Sequence, residues 1–358
     1  MDDITAAAAT PVSEQSSYRG SNLISWSEAQ SADFGMRPVL ARHRLHQLDL
    51  FSDSALLDLL ENYPRDRLQA FTMGTDVLNR KDWQPVDTAG VSGRDLLTAV
   101  GNGRLWFNIL QVHLVDRRYR DLIDELYAEL SEQCPTFGPL KKNGTLIISS
   151  PTALVYYHAD AQPNLLWQVR GSKRVWVYPP GDKALVSQDL MEDIFASFAD
   201  EEVPYEFEFD RKATTFDLMP GDVLSWSQNA PHRVTNLQGV NVSLSTVHET
   251  KDSDRRKLVY CANRLFRRSY RIPSRSTKET GALSYVKRLA YRACRRAGLV
   301  ETPARRAYIT NLRIDPNASN GFRLLGGGLV LTEFSKKDFT LKVNASGQVS
   351  VVQINHAS

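Results

Sequence analysis

Two places in the sequence carry residue types that could together hold a metal. His158-Ala159-Asp160 ends the run YYHAD, and His232 lies within LMPGDVLSWSQNAPHRVTNLQGVNVSLS. On a strand, residues two apart face the same side, so an imidazole at 158 and a carboxylate at 160 would be presented together. The Pro220-Gly221-Asp222 turn and the strand after it would return the chain across a barrel and set His232 opposite that pair. Two neutral imidazoles and one carboxylate on one face leave other coordination positions open, the arrangement of non-haem Fe(II) oxygenases. A chelating oxoacid would take two of those positions and dioxygen a third. No protein acid or base is needed beyond the ligands. An H-x-D pair alone is more often a surface or cap feature, so the rest of the chain has to decide.

Lys173 is the second candidate. It follows Arg170-Gly171-Ser172 between two β-rich runs, where Gly-Ser suits a two-residue hairpin turn. In that register Arg170 faces Lys173, Gln168 faces Val175 and Leu166 faces Val177, and Lys173 shares a side with Asn164, Leu166 and Gln168. A cation at the mouth of an apolar interior needs an anion, which a ligand carboxylate would supply. Along a flat strand Asn164 would stand roughly 20 Å from Lys173, so both reach one small ligand only if the strand bulges or curls.

The elements that must position these residues are legible in the texture of the chain. Ser52–Asp66 has a Ser/Asp start, Leu spacing and a Pro stop, which predicts a short helix. Ser92 opens a second, ended by Gly101 and Gly103. From Val115, apolar or aromatic residues at 119, 122, 123, 126, 127 and 130 have helical spacing. Between about Gly144 and Thr250 the pattern changes to successive strands with Pro/Gly punctuation, interrupted only around LMEDIFASFAD. That is the texture of an antiparallel sandwich or barrel. Beyond it, ALSYVKRLAYRACRRAG is again helical, and RLLGGGLVLTEF, DFTLKV and QVSVVQI are strand-like pieces suited to a small sheet.

The stretch His158–Pro180, HADAQPNLLWQVRGSKRVWVYPP, resembles the JmjC/cupin-like group of Fe(II)- and 2-oxoglutarate-dependent oxygenases. It is most similar to their hydroxylase branch, which includes the factor-inhibiting-HIF type of asparaginyl hydroxylase. The resemblance implies a mainly β fold with α (α+β), a double-stranded β-helix with helical N-terminal support. It implies that His158, Asp160 and His232 bind Fe(II) and that Lys173 binds the distal carboxylate of 2-oxoglutarate. It also sets Asn164 and Ser245 beside that cosubstrate. Val155 departs from the pattern, because the branch usually has a small hydroxyl residue there. Trp106 and Asn108, in RLWFN, are the nearest stand-ins for an upstream Tyr that often binds the same carboxylate. The expected organisation is a disordered lead-in over 1–30, a JmjC/cupin-like domain over 31–253 with its barrel core at about 144–250, and a basic helical segment with a small β-rich tail over 254–358.

Composition bounds the remaining possibilities. The chain has 358 residues, 42% hydrophobic and 24% charged, which suits a soluble globular protein with a sizeable core. No apolar run is long enough for a membrane span, and the polar N-terminus does not read as a secretion signal. Cys134, Cys261 and Cys294 form no C-x-x-C pair, which argues for a reducing compartment, with the cytoplasm expected. The net charge of +3 hides an asymmetry, since 254–306 carry sixteen Lys/Arg against three Asp/Glu. Such a segment could bind a polyanion or a membrane, although a solvated face, packing on its own domain or a homodimer contact through the C-terminal helical segment is the commoner use. His43 and His46 read as surface residues; Trp167, Trp176 and Trp226 read as core. Gly326-Gly327-Gly328 precedes a strand and reads as a turn rather than a phosphate cradle.

The function expected is a 2-oxoglutarate-dependent dioxygenase that hydroxylates a protein side chain or small molecule. Two alternatives keep the fold: a non-catalytic cupin-like metal- or ligand-binding regulatory module, and a metal-dependent cupin enzyme whose Lys173 holds a substrate carboxylate directly.

Overall fold

Residue 18, residues 20–301 and residues 308–325 are described by the structure, a computed structural model, together with the backbone of strands at 330–332, 339–343 and 349–353. Eleven strands form one hydrogen-bonded sheet. They are β1 (Ile24–Ser25), β2 (Val39–His43), β3 (Leu68–Thr72), β4 (Pro85–Val86), β5 (Leu105–Ile109), β6 (Lys141–Ser149), β7 (Leu154–His158), β8 (Asn164–Val177), β9 (Thr214–Leu218), β10 (Asp222–Trp226) and β11 (His232–Glu249). The helices are α1 (Glu28–Asp33), α2 (Asp53–Asn62), α3 (Gly93–Asn102), α4 (Val112–Val115), α5 (Arg117–Gln133), α6 (Gln188–Phe195), α7 (Lys251–Arg264) and α8 (Ala282–Arg296).

Two long strands carry the architecture. β8 and β11 pair antiparallel along most of their lengths, with register shifts around Asn236, Gln238 and Val242. Each strand is shared between two neighbours. The first half of β8 pairs with β10 and the second half with β9. The first half of β11 pairs with β7 and the second half with β6. Both strands therefore change partners at the same level, which wraps the one sheet onto itself as an α+β double-stranded β-helix. Apolar residues on both faces of NLLWQVRGSKRVWV suit a central strand covered on both sides.

The bend corrects the hairpin predicted at Gly171-Ser172. β8 runs without reversal from Asn164 to Val177, and Lys173 lies opposite Asn236 on one side and Leu218 on the other. With both edges already paired, nothing is left for Val175 to offer Gln168. Gly171 instead takes a left-handed conformation with φ +67°, and a Cβ there would come within 2.7 Å of the Asn241 amide. The glycine serves a bulge, and the bulge supplies the curl that Asn164 and Lys173 need to face one space.

The helices form where the spacing predicts them. α5 is capped by Asp116, which accepts from the Arg118 N–H, and buries Tyr119, Leu122, Ile123, Leu126, Tyr127 and Leu130 against the sheet. α2 and α3 are capped by Ser52 and Ser92 and pack into the same core. A second core lies between α6, α7 and α8, built from Ile194, Phe195, Leu258, Cys261 and Tyr291 with Tyr157 and Tyr178 of the barrel. No helix among the described residues is long and apolar enough to cross a membrane.

Several expectations are corrected here. The lead-in is ordered well before residue 30, because the Glu129 carboxylate accepts from the backbone N–H of Leu23 and Ile24 at 2.8 and 2.9 Å. Residues 1–17 lie outside the described residues. The boundary at 254 falls inside α7, which starts at Lys251 behind a Thr250/Ser253 capping box directly after β11. His43 is buried rather than on the surface; its Nε2 lies 3.0 Å from the Gln168 carbonyl, and burial pushes the ring down to about 3. The tail strands come as three separate pairs rather than one sheet: Tyr308–Thr310 with Val330–Thr332, Leu312–Ile314 with Phe322–Leu324, and Phe339–Val343 with Val349–Gln353. Gly326-Gly327-Gly328 lies outside the described residues.

Candidate metal centre

His158, Asp160 and His232 converge at one point. The donor atoms of the three lie within 4.8 Å of one another. His158 Nε2 is 3.7 Å from Asp160 Oδ1, and His232 Nε2 is 3.6 Å from Asp160 Oδ2. An ion about 2.0–2.2 Å from each donor bridges such gaps. β-Pairing makes the meeting possible, since His232, first residue of β11, lies directly opposite His158, last residue of β7.

The local backbone orients both imidazoles the same way. His158 Nδ1 is 2.8 Å from the carbonyl of Tyr156, and His232 Nδ1 is 3.1 Å from the carbonyl of Ala230. A carbonyl only accepts, so each Nδ1 carries the proton and donates, which leaves each Nε2 a free lone pair toward the site. Burial, and after it the neighbouring His158, pushes His232 down to about 4, so its ring is neutral near pH 7. The Trp226 ring lies against it at 4.4 Å between centroids.

Asp160 is not on the strand face where the H-x-D spacing puts it. β7 ends at His158, and Asp160 sits in the loop beyond, which three surrounding segments hold. Asn164 Nδ2 donates to Asp160 Oδ2 at 3.0 Å, and Asn229 Nδ2 donates to the Asp160 carbonyl at 2.9 Å. Gln228 Nε2 donates to the Ala161 carbonyl at 2.8 Å, and Glu201 accepts from the Ala161 N–H at 2.8 Å. Asn229 reaches its position through a left-handed backbone (φ +63°) in the turn before His232. Gln228, Asn229 and Glu201 escape a reading of the sequence because they come from loops far from 160; the QNAP turn is their only local signal.

The three residues open onto a cavity of about 420 Å³. Lys173, Asn164 and Ser245 line the same cavity, as do Trp106, Asn108, Thr145 and Val155. Lys173 is fully buried, and its Nζ donates to Ser243 Oγ at 2.8 Å, while Ser243 donates in turn to Gln168 Oε1 at 2.7 Å. The Trp106 ring centroid is 5.6 Å from Nζ. Among the described residues no carboxylate pairs with this cation, and burial lowers its pKa to about 7. Ser245 Oγ donates to Asn164 Oδ1 at 3.1 Å, so Ser245, Asn164 and Asp160 form one chain of hydrogen bonds. Thr145 is a cavity hydroxyl that the spacing of motifs does not reveal; it stands opposite Ser245 in the β6–β11 ladder. Val155 offers only methyl groups.

Residues 94–254 match the family of cupin-like domains. No curated protein matches the sequence. Among solved structures, the chain is similar to ycfD from Escherichia coli, at 13% identity over 75% of this chain and 67% of that one, with a TM-score of 0.47. A structure described as YcfD, a ribosomal oxygenase from Escherichia coli in complex with cobalt and 2-oxoglutarate, is similar at 14% identity over 75% and 66%, with a TM-score of 0.45. The aligned part thus spans about two thirds of the length of those proteins.

Proposed function

For a chain whose residues 94–254 are a cupin-like domain, we propose an Fe(II)- and 2-oxoglutarate-dependent oxygenase that hydroxylates a protein side chain or a small molecule. One observation carries the reading: a ready-made two-His, one-carboxylate donor set and a buried lysine without a carboxylate share one cavity. The donors fit a hard-to-borderline divalent ion, since both Nε2 lone pairs and the Asp160 carboxylate face the same point. Bound there, Fe(II) with 2-oxoglutarate and dioxygen supplies the oxidising chemistry that gives succinate, CO2 and a hydroxylated C–H bond.

The chain's own residues do the positioning. Lys173 binds the carboxylate of the cosubstrate far from the metal, and Ser243 with Gln168 aims the ammonium. Asn164, held by Ser245, fixes the plane of the Asp160 carboxylate. Leu166, Ile147, Trp226 and Val234 line the walls and keep water from the reacting centre. Anaerobic titration of the purified protein with Fe(II) and then 2-oxoglutarate is the test. A weak visible charge-transfer band that Asp160→Ala removes is expected; no band in the wild-type protein overturns the reading.

Val155 supports a second reading, a metal- and ligand-binding module without turnover, because it lines the cavity with methyl groups where the resembled hydroxylase branch usually has a small hydroxyl residue. Succinate release in the presence of peptide and small-molecule panels separates the two: metal stoichiometry retained with no succinate favours the module.

A further inference from the structure

Helix α8 is docked the wrong way round for an ordinary surface helix. A surface helix normally buries its apolar stripe. Here the N-terminal half of the inward face is polar, and only Tyr291 and Cys294 further on pack into an apolar core: Ser284 donates to the Glu279 carbonyl at 2.7 Å, and Lys287 Nζ donates to Asn263 Oδ1 at 2.8 Å and to the Ser276 carbonyl at 2.9 Å. Tyr291 completes that face in the core of the helical lobe. The apolar residues point to solvent, with Leu283 61%, Val286 59% and Leu289 47% exposed and Tyr285 beside them. The helix spans about 22 Å at 1.5 Å per residue, long enough for a continuous stripe.

Its charge is one-sided as well. Between Ala282 and Leu299 there are five Lys/Arg and no Asp/Glu. Elsewhere in the basic segment several arginines are paired with acids of α6: Arg264 and Arg268 pair with Asp193, and Arg267 pairs with Asp189 and Glu192. Among the described residues, Arg292 is the one α8 residue with an acidic partner, Asp254, at 3.2 Å. Arg288 packs over the Tyr285 ring, and Arg295 and Arg296 form no ion pair among the described residues.

We propose that the outward face of α8 is a docking surface for an anionic lipid bilayer, on which the helix lies flat with Leu283, Val286 and Leu289 in the acyl boundary and the arginines among the headgroups. An amphipathic helix with apolar residues on one face and a basic flank has this preference, and each cation near a negatively charged leaflet adds to it. A second copy fits less well. A twofold contact through the outward face of α8 would gather four arginines from each helix, with no acid on either helix, in the low-dielectric setting where like charges repel most. A nucleic acid would use the arginines but leave the leucines exposed.

The test is co-sedimentation of the full chain with vesicles of phosphatidylcholine alone and of phosphatidylcholine with 30% phosphatidylglycerol as the probe. Binding to the anionic vesicles, weakened by salt, is expected. The triple variant Leu283→Ser/Val286→Ser/Leu289→Ser and the quadruple variant Arg288→Gln/Arg292→Gln/Arg295→Gln/Arg296→Gln should each lower the affinity at least about tenfold. Because the substituted side chains point outward, metal binding at His158, Asp160 and His232 serves as the control for an intact fold. No sedimentation with anionic vesicles overturns the proposal. So does a wild-type dimer in sedimentation equilibrium that the triple variant makes monomeric without any vesicle binding. Binding of a DNA or RNA duplex that responds to the arginine variant but not to the serine variant overturns it too.

Discussion

At one end of the cavity every polar group is already oriented, while at the other a charge is left waiting. His158 and His232 each spend one nitrogen on a backbone carbonyl, and Asp160 is held by Asn164 and through its backbone by Asn229. Lys173 is more deeply buried than His158 or Asp160, has Ser243 as its hydrogen-bond acceptor and, among the described residues, has no carboxylate partner. A buried ammonium in that state costs stability, and folding tolerates it only if the rest of the fold compensates. On the proposed reading the two ends do different work: one is preorganised for an ion, the other is completed by an anionic ligand.

The largest effect should come from breaking the oriented end. Asp160→Ala removes one of three donors, and the affinity for Fe(II), or for Co(II) as an air-stable probe, should fall by at least about 100-fold, beyond the 10–100-fold range of an outer-shell change. Calorimetric titration of the metal measures it. The same variant should leave Lys173 buried and the protein folded, since Asn164 and Asn229 lose only one acceptor between them. Unchanged metal affinity would sink the assignment of the triad.

Breaking the waiting end should spare the metal. Lys173→Met keeps the volume and removes the charge, so metal affinity should stay within about twofold while 2-oxoglutarate binding to the metal-loaded protein drops roughly 30-fold or more, the scale for losing one partner of a buried charge pair. Competition by oxoacids of different chain length sharpens the point. A short oxoacid that cannot reach Lys173 should bind wild type and variant alike.

A smaller loss is expected from residues that hold Asp160 without touching a metal. Asn229→Ala removes the donor to the Asp160 carbonyl, and metal affinity should fall about tenfold with the absorption band of the cobalt-loaded protein shifted. Asn229→Gly, which keeps the left-handed backbone and lacks the amide, separates the two contributions. If the glycine variant binds metal as wild type does, the turn matters and the hydrogen bond does not.

How much of this was legible depends on whether the signal was local. Helix α5 was readable because six buried positions repeat at helical spacing in one segment. The triad was readable because histidine and aspartate are sparse at barrel positions and the H-x-D spacing is tight, even though Asp160 turned out to lie beyond the strand rather than on it. The bend of β8 was not readable. Gly171-Ser172 is as good a hairpin turn as it is a bulge, and the choice is made by β9, β10 and β11, which occupy both edges of β8. The flat-strand distance between Asn164 and Lys173 calls for a bulge or curl without placing it, and the curled strand does bring both to one cavity. The Gln228–Asn229 clamp depends on two loops meeting across the barrel mouth, which no spacing in one segment encodes. The polarity of α8 was visible as a pattern, but which face turns inward was decided by Asn263 and the Ser276 carbonyl, partners supplied by neighbouring segments.

The least disruptive way to probe the waiting end is pH. Burial lowers Lys173 to about 7, against an ordinary value near 10.5 in the unfolded chain. Below pH 7 both states carry the proton and the full cost of a buried cation is present. Between pH 7 and 10.5 the folded chain has released a proton that the unfolded chain keeps, so stability from this group rises with pH across that window. From pH 6.5 to pH 8 the gain should be about 1 kcal/mol by linkage, read from urea unfolding of the metal-free protein. Lys173→Met should lose this increment while other groups continue to titrate, so the difference between the two proteins isolates it. Saturating the metal-loaded protein with 2-oxoglutarate should erase the increment as well, because a bound carboxylate returns the ammonium toward its ordinary range. The same binding step should then take up a fraction of a proton near pH 8, visible as a dependence of the calorimetric heat on the ionisation enthalpy of the buffer. If wild type and Lys173→Met share one pH profile, the lysine is paired in solution and the contrast between the two ends of the cavity fails.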